Sequence, residues 1–141
     1  MTGRSIGLRP GAGATVGAML SGVHHVSLNV SDAEASGRFY VDALGLEPLE
    51  RPDFGVPGHW LALPDGRQVH LIEVDGWVGP DGQHVAFRVD DIDRAREELV
   101  SRGVDVSDPF EVPGAGRQAF LKDPDGNLIE LNQPHGARPA P

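Results

Sequence analysis

The chain has 141 residues, contains no cysteine and carries a formal net charge of -9. This length fits one domain of ordinary size, and the lack of cysteine excludes a disulfide framework, a thiolate metal site and a cysteine nucleophile. The negative charge, with Lys122 as the single lysine, argues against nucleic acid and anionic membranes as partners, because affinity for phosphate depends on clustered lysine and arginine. A small molecule or another protein is the expected partner.

The two ends of the chain are predicted to lie outside the folded domain. Residues 1–21 are rich in glycine and alanine and show neither strand nor helix periodicity, which predicts a disordered extension. Pro10 and several glycines interrupt the apolar run that a signal peptide needs, so a cytoplasmic location is expected. Residues 134–141 are predicted to form a tail, and no apolar stretch is long enough to span a membrane. The predicted domain is residues 22–133.

Two copies of one pattern fill this domain. In each copy a strand that starts near a histidine is followed by an aspartate that caps a helix, and then by three short strands between turns. The first copy, about residues 22–75, has predicted strands over 23–30, 46–50, 60–63 and 68–74, and a helix over 33–43 after Asp32. The second copy, about residues 83–133, has predicted strands over 84–89, 104–107, 117–122 and 127–132, and a helix over 92–102 after Asp91. The predicted unit is βαβββ, present twice.

Strand parity separates the adjacent histidines His24 and His25, because successive side chains point to opposite faces of a sheet. His25 falls on the polar face of its strand, and His84 occupies the same place in the second copy. The tripeptide Leu-Ile-Glu occurs in the last strand of each copy, with Glu73 in the first and Glu130 in the second. If each helix covers the apolar face of its own sheet, the side chains of His25, Glu73, His84 and Glu130 share the uncovered face. His24 points to the opposite face.

Three segments carry a resemblance to a known family: HHVSLNVSDAEASGRFYVDALGLEP, QHVAFRVDDIDRAREELVSRGV and DPDGNLIELNQ. They resemble the module openings and the closing hairpin of the vicinal oxygen chelate superfamily, which includes glyoxalases, bleomycin-resistance proteins and extradiol dioxygenases. The resemblance covers about residues 22–133. It implies an α+β fold in which two tandem βαβββ modules form a cup-shaped mixed sheet with helices on the outer face.

The resemblance also implies a metal site. In that superfamily the first-strand histidine of each module and the glutamate of the final strand bind a divalent metal, which corresponds here to His25, His84 and Glu130. The fourth position maps to Glu73 by the Leu-Ile-Glu match, and His70 in the same strand is the alternative. The implied cofactor is one divalent ion of Zn, Ni, Mn, Co or Fe.

The donor set has a chemistry of its own. Imidazole nitrogen and carboxylate oxygen suit these ions, and the set leaves coordination positions open for a substrate with adjacent oxygens. The metal would act as a Lewis acid on a developing enolate or oxyanion, with Glu130 or Glu73 as the general base. Arg88, on the predicted face of His84, and Asn29, in the equivalent place of the first module, are candidate substrate-binding residues.

The leading hypothesis is a metal-dependent lyase, isomerase or epimerase of glyoxalase type that works through an enediolate-like intermediate. An extradiol dioxygenase is disfavoured because Phe120 stands where those enzymes carry a tyrosine. A fosfomycin-type thiol transferase would use only His25, His84 and Glu130, and a metal-free binding protein of the bleomycin-resistance kind would use no metal ligands. Since small members of the superfamily commonly dimerise, a homodimer is expected.

Overall fold

Two βαβββ modules follow one another in the chain. The first consists of β1 (His25–Val30), α1 (Ala33–Arg38) with a π-helical continuation (Phe39–Ala43), β2 (Glu47–Leu49), β3 (Gly58–Ala62) and β4 (Gln68–Glu73). The second consists of β5 (His84–Arg88), α2 (Ile92–Ser101), β6 (Phe110–Val112), β7 (Gly116–Lys122) and β8 (Leu128–Gln133). The structure, a computed structural model, describes residues 17–136, so the parts of the predicted extension and tail at 1–16 and 137–141 lie outside the described residues.

Each module forms its own mixed sheet of four strands. The strand order is β1-β4-β3-β2 in the first sheet and β5-β8-β7-β6 in the second. The first strand of each module pairs in parallel with the last, and the other pairs are antiparallel. The predicted α+β fold with tandem βαβββ modules is therefore confirmed. It places β1 and β5 at the ends of their sheets.

Both helices begin where the sequence predicts. Asp32 is the N-cap of α1 and its Oδ1 accepts a hydrogen bond from the backbone N–H of Ala35 at 3.1 Å. Asp91 caps α2 in the same way, since its Oδ1 accepts from the N–H of Arg94 at 3.1 Å. Each cap satisfies a helix donor that has no partner within the helix. Because each cap follows the first strand directly, it sets where the chain turns back over the sheet.

The core joins the two modules. Its fully buried members include Val30, Leu61, Val69, Leu71, Ile92 and Ile129, together with the ring of Tyr40. The hydroxyl of Tyr40 donates to Oδ2 of Asp123 at 2.9 Å, and Nδ2 of Asn127 donates to the same oxygen at 2.7 Å. The helix of the first module is thus hydrogen-bonded to the β7–β8 turn of the second. No helix among residues 17–136 is long and apolar enough to cross a membrane.

One predicted strand is wrong. The segment 104–107 forms no named strand and makes only an isolated bridge between Val106 and Leu121. Nε of Arg96, on α2, approaches the carbonyl oxygens of Val106 and Ser107 at 3.2 and 3.1 Å, so a side chain occupies the acceptors that a strand would use. The strand that pairs with β7 is instead β6, a few residues later.

Candidate metal and substrate site

The second module brings His84 and Glu130 into contact. His84 starts β5, and Glu130 lies in the neighbouring strand β8, two residues beyond the partner of His84. Nε2 of His84 lies 3.3 Å from Oε1 of Glu130, and Nδ1 of His84 lies 2.7 Å from the carbonyl oxygen of Gly82. The other carboxylate oxygen of Glu130 accepts from Nδ2 of Asn132 at 3.0 Å. The carboxylate is therefore nearly buried and held from both sides, with its side chain 9% exposed.

The first module brings His25 against His70 instead. The rings of His25 and His70 are stacked, with their centroids 3.9 Å apart. The ring of Trp60 also stacks on that of His70, with 4.6 Å between the centroids. Nε2 of His70 lies 2.8 Å from Oε1 of Gln68. Burial lowers the pKa of His70, and the neighbouring His25 lowers it further. His70 is thus a buried imidazole beside the exposed His25.

Strand register shows that His70 and Glu130 hold equivalent places. Ser27, two residues after His25, pairs with His70, and Ala86, two residues after His84, pairs with Glu130. Residues that pair across neighbouring strands point to the same face. The two modules therefore present His25 with His70 and His84 with Glu130, at matching positions on matching faces.

The face predicted for Glu73 is wrong. Glu73 pairs with Val30, which is fully buried, so it belongs to the core face of β4. Its Oε2 accepts a hydrogen bond from the backbone N–H of Ala33 at 2.9 Å, at the start of α1. Its counterpart is Gln133, whose Oε1 accepts from the N–H of Ile92 at 2.9 Å. The structure does not bring Glu73 to His25.

The repeated Leu-Ile-Glu tripeptide is the cause of this error. It aligns Glu73 with Glu130, whereas the strand pairs align His70 with Glu130. Placing Glu73 on the uncovered face would put its neighbour Ile72 on the buried face, but Ile72 is 37% exposed while Leu71 is fully buried. The alternative to Glu73 predicted from the sequence, His70, is the residue that lies on the face of His25.

Each of the two pairs lies against an aromatic side chain. Trp60 pairs with His70 across β3 and β4, and Phe120 pairs with Glu130 across β7 and β8. The ring of Phe120 lies 5.8 Å from the ring of His84, edge to face. The sequence predicts Trp60 as the first residue of a strand, and strand pairing sets it opposite His70. Phe120 offers no hydroxyl beside Glu130.

The predicted substrate-binding residues lie on the same faces. Arg88 is exposed at the end of β5 and pairs with Asn132. Asn29 pairs with Ile72, and its backbone carbonyl accepts from Nδ2 of Asn127 at 2.9 Å. His24 is exposed, with Nδ1 2.9 Å from Nδ1 of His25.

A donor set of three imidazoles and one carboxylate suits a divalent transition metal. Within residues 17–136 of one chain, however, no group of three or more histidine, aspartate or glutamate side chains lies close enough to hold one. The fit is therefore to two half-sets, each with two donors: His25 with His70, and His84 with Glu130.

Comparison with known proteins identifies the family. Residues 22–131 match the family model of the Glyoxalase/Bleomycin resistance protein/Dioxygenase superfamily. The chain is 33% identical over 119 residues to lactoylglutathione lyase of Haemophilus influenzae, across 76% of this chain and 88% of the relative. It is 30% identical over 134 residues to ethylmalonyl-CoA/methylmalonyl-CoA epimerase of Cereibacter sphaeroides, across 82% and 99%.

Solved structures give the same result. TnmS3, an antibiotic binding protein from Streptomyces sp. CB03234, superimposes with a TM-score of 0.69 at 37% identity, across 84% of this chain and 99% of that one. The resemblance in sequence, the family model and the tandem βαβββ fold agree. The chain belongs to the Glyoxalase/Bleomycin resistance protein/Dioxygenase superfamily.

Proposed function

We propose that this protein is a metal-dependent lyase, isomerase or epimerase that acts on a small molecule with adjacent oxygens. The proposed ligands are His25, His70, His84 and Glu130, and the proposed cofactor is one divalent ion of Zn, Ni, Mn, Co or Fe. Lyases and an epimerase are among the relatives that match most of the chain. The observation that carries the proposal is the contact between Nε2 of His84 and Oε1 of Glu130.

With His84 in its neutral form, that contact joins two hydrogen-bond acceptors, which either a second proton on the ring or a bound cation would satisfy. A carbonyl oxygen only accepts, so Nδ1 of His84 must donate to the carbonyl of Gly82. In the neutral ring, Nε2 is then the nitrogen with the free lone pair, and it faces a carboxylate oxygen at 3.3 Å. A divalent metal would satisfy both, and metal-bound histidines commonly donate their other ring N–H to a backbone carbonyl.

The bound metal would supply Lewis-acid polarisation of the substrate oxygens. The chain's own contribution is the placement of Glu130, whose carboxylate is the proposed acceptor of the substrate proton. Its orientation is held by Nδ2 of Asn132, and the ring of Phe120 restricts water on that side. Arg88 and Asn29, on the same faces as the two pairs, are the proposed contacts for polar groups of the substrate.

We propose further that the protein is a cytoplasmic homodimer in which one chain provides His25 and His70 and the other provides His84 and Glu130. Exposure supports this assembly. His25 and His84 are both exposed, and they lie on β1 and β5, the end strands of the two sheets. Two half-sets of ligands are a feature that a second copy would complete.

Metal content tests the ligand set directly. The purified, dialysed wild type is expected to hold about one divalent ion per chain, and His84→Ala or Glu130→Ala is expected to remove most of it. His24→Ala and Glu73→Gln are the matched controls and should retain it. Equal metal content in wild type and His84→Ala would overturn the proposed site, whatever activity is found.

Mixed dimers test where each half-set comes from. One variant carries His25→Ala with His70→Ala, and the other carries His84→Ala with Glu130→Ala. Neither alone should bind metal. If sites are shared between chains, unfolding and refolding the two together restores one intact site in each mixed dimer, whereas sites within one chain would leave the mixture without metal.

A second candidate is a metal-free small-molecule binding protein. It is favoured by the stack of rings formed by His25, His70 and Trp60, which occupies the place of one half-set, and by the identity to an antibiotic binding protein. A wild type that takes up none of the five metals on incubation, but binds an aromatic ligand with quenching of tryptophan fluorescence, would favour this function over the first.

A further inference from the structure

A cavity of about 1050 Å³ lies outside the proposed metal site. It is bounded by α1 with its π-helical continuation on one side and by the loop between β2 and β3 on the other. Val41, Pro48 and Val56 contribute apolar walls, and Arg51 contributes its side chain. None of the four proposed metal ligands lines it. Its size is that of a site for a small organic ligand.

Arg51 is a half-buried cation with few partners. Nη1 donates to the backbone carbonyl of Val56 at 3.0 Å, and Nε is buried without a hydrogen-bond partner in the described residues. A guanidinium has five N–H donors, and a buried donor without a partner costs free energy. Within the described part of the chain Arg51 forms no ion pair, whereas Arg38, which lines the same cavity, pairs with Glu34 at 3.0 Å.

The surroundings hold the Arg51 guanidinium in place. It lies over the ring of Phe54, with Cζ 5.0 Å from the ring centroid. On another side is Gly58, where a Cβ atom would lie 3.0 Å from both Cζ and Nη2 of Arg51. A larger residue at position 58 would therefore push the guanidinium aside. The charge is positioned by its neighbours and left without a counterion from them.

The carboxylates around the cavity do not neutralise Arg51. Glu34 is paired with Arg38, and Oδ1 of Asp53 accepts from the backbone N–H of Gly55 at 2.8 Å. Asp42 also lines the cavity. All three acids are exposed, so water and salt screen their charges more than that of the half-buried Arg51.

We propose that this cavity binds a small apolar carboxylate, with its anionic head on Arg51 and its body against Val41, Val56 and Pro48. A guanidinium binds a carboxylate through two parallel N–H donors, and the apolar walls remove the rest of the ligand from water. Arg51 lies near the His70 half of the proposed metal site, because the ring of Phe54 contacts both Arg51 and Trp60, but the proposed contacts of the carboxylate include none of the four metal ligands.

Calorimetric titration of the full chain with octanoate and with octanamide tests the proposal. The two probes share an apolar tail and differ in the charge of the head group. Wild type is expected to bind octanoate about tenfold more tightly than octanamide, the difference that one charge-assisted contact provides. Arg51→Gln should remove this preference, and Arg38→Gln, the matched control for a paired arginine in the same cavity, should keep it.

Three more variants separate the effect of this site from effects on folding and on metal binding. Arg51→Lys keeps the charge without the two parallel donors, so it should keep part of the preference for octanoate. Val56→Trp fills the cavity and should lower the affinity for both octanoate and octanamide. His84→Ala should bind octanoate as the wild type does, which keeps this result independent of the metal site.

Three outcomes would overturn the proposal: equal affinities for the two probes in wild type, an unchanged preference in a folded Arg51→Gln variant, or no binding of octanoate. If octanoate fails to bind and Arg51→Gln weakens dimerisation, a second copy of the chain covers this surface instead.

Discussion

Glu73, the last residue of β4, accepts a hydrogen bond from the backbone N–H of Ala33, the first residue of α1, with 2.9 Å between Oε2 and N. Gln133 and Ile92 repeat this relationship in the second module at the same distance. The first N–H groups of a helix have no partner within the helix, so a side chain from the end of the sheet supplies one. In both modules, the last strand therefore fixes where the helix begins.

The first prediction concerns this contact. Glu73→Ala should lower the free energy of unfolding by about 0.5–2 kcal/mol, the usual cost of losing a helix-capping acceptor. Glu73→Gln keeps an acceptor oxygen and should lose less. Urea denaturation measures both, with Glu50→Ala, an exposed glutamate for which no side-chain contact is described, as control. Loss of bound metal from Glu73→Gln would instead make Glu73 a ligand.

The second prediction concerns Tyr40, the only tyrosine in the chain. Burial, followed by the negative charge of Asp123, raises the pKa of its hydroxyl well above the usual range. Because the unfolded chain loses this proton first, the stability that depends on Tyr40 should fall as the pH rises above about 10, the unfolded pKa.

Ultraviolet titration checks this prediction, since tyrosinate absorbance reports Tyr40 alone. The folded protein should show no tyrosinate near pH 10, and the chain in urea should titrate at about that value. Tyr40→Phe should lose the alkaline fall in stability that this group causes. Tyrosinate formation near pH 10 while the protein is still folded would contradict the buried hydrogen bond.

The third prediction concerns Gly58 in β3. A Cβ atom at this position would lie 2.2 Å from the carbonyl oxygen of Leu71 in the neighbouring strand, so the backbone would have to move. Gly58→Ala should lower the free energy of unfolding by about 1–3 kcal/mol, as overpacking does. At Gly22, by contrast, nothing lies within 4 Å of an added Cβ. Equal thermal midpoints for Gly58→Ala and Gly22→Ala would show that the backbone of Gly58 does not lie this close to the carbonyl oxygen of Leu71.

The fourth prediction concerns Asp93, whose two carboxylate oxygens both accept hydrogen bonds from Arg117. Nη1 of Arg117 donates to Oδ2 at 2.6 Å, and Nη2 donates to Oδ1 at 3.1 Å. The Arg117 side-chain hydrogen bonds lower the pKa of Asp93 from its ordinary value of 3.8. The stabilising effect of this pair should therefore be present above that value and disappear as the pH falls through the lower, folded pKa.

Carbon NMR titration of the carboxyl groups measures this effect. Arg117→Gln should return the pKa of Asp93 towards its ordinary value and should leave that of Asp65 low, because Asp65 has its own partner, Arg67. If Asp93 titrates at the same pH in wild type and Arg117→Gln, the ion pair does not persist in solution.

Local patterns in the sequence were sufficient for most of the fold. The two aspartate caps, the βαβββ unit and its repetition depend on the order of residues along one element, and the structure agrees with them. The placement of His25, His84 and Glu130 on the faces away from the core also follows from strand periodicity in β1, β5 and β8, where apolar and polar residues alternate clearly.

Strand β4 does not alternate so clearly, and there the sequence was ambiguous. Both of its faces carry apolar residues, with Val69 and Leu71 on one and Ile72 on the other. Parallel pairing with β1 decides between them: it sets Leu71 against the core with Leu28 and sets His70 beside Ser27 on the face of His25.

By itself, the sequence determined the modules, the caps and three of the candidate ligand positions, because these depend on periodicities within single elements. Only the tertiary structure decided that His70 rather than Glu73 joins His25, and that the donors lie in two pairs. Contacts between strands distant in sequence depend on register and on which face is buried, and neither is encoded in any one strand.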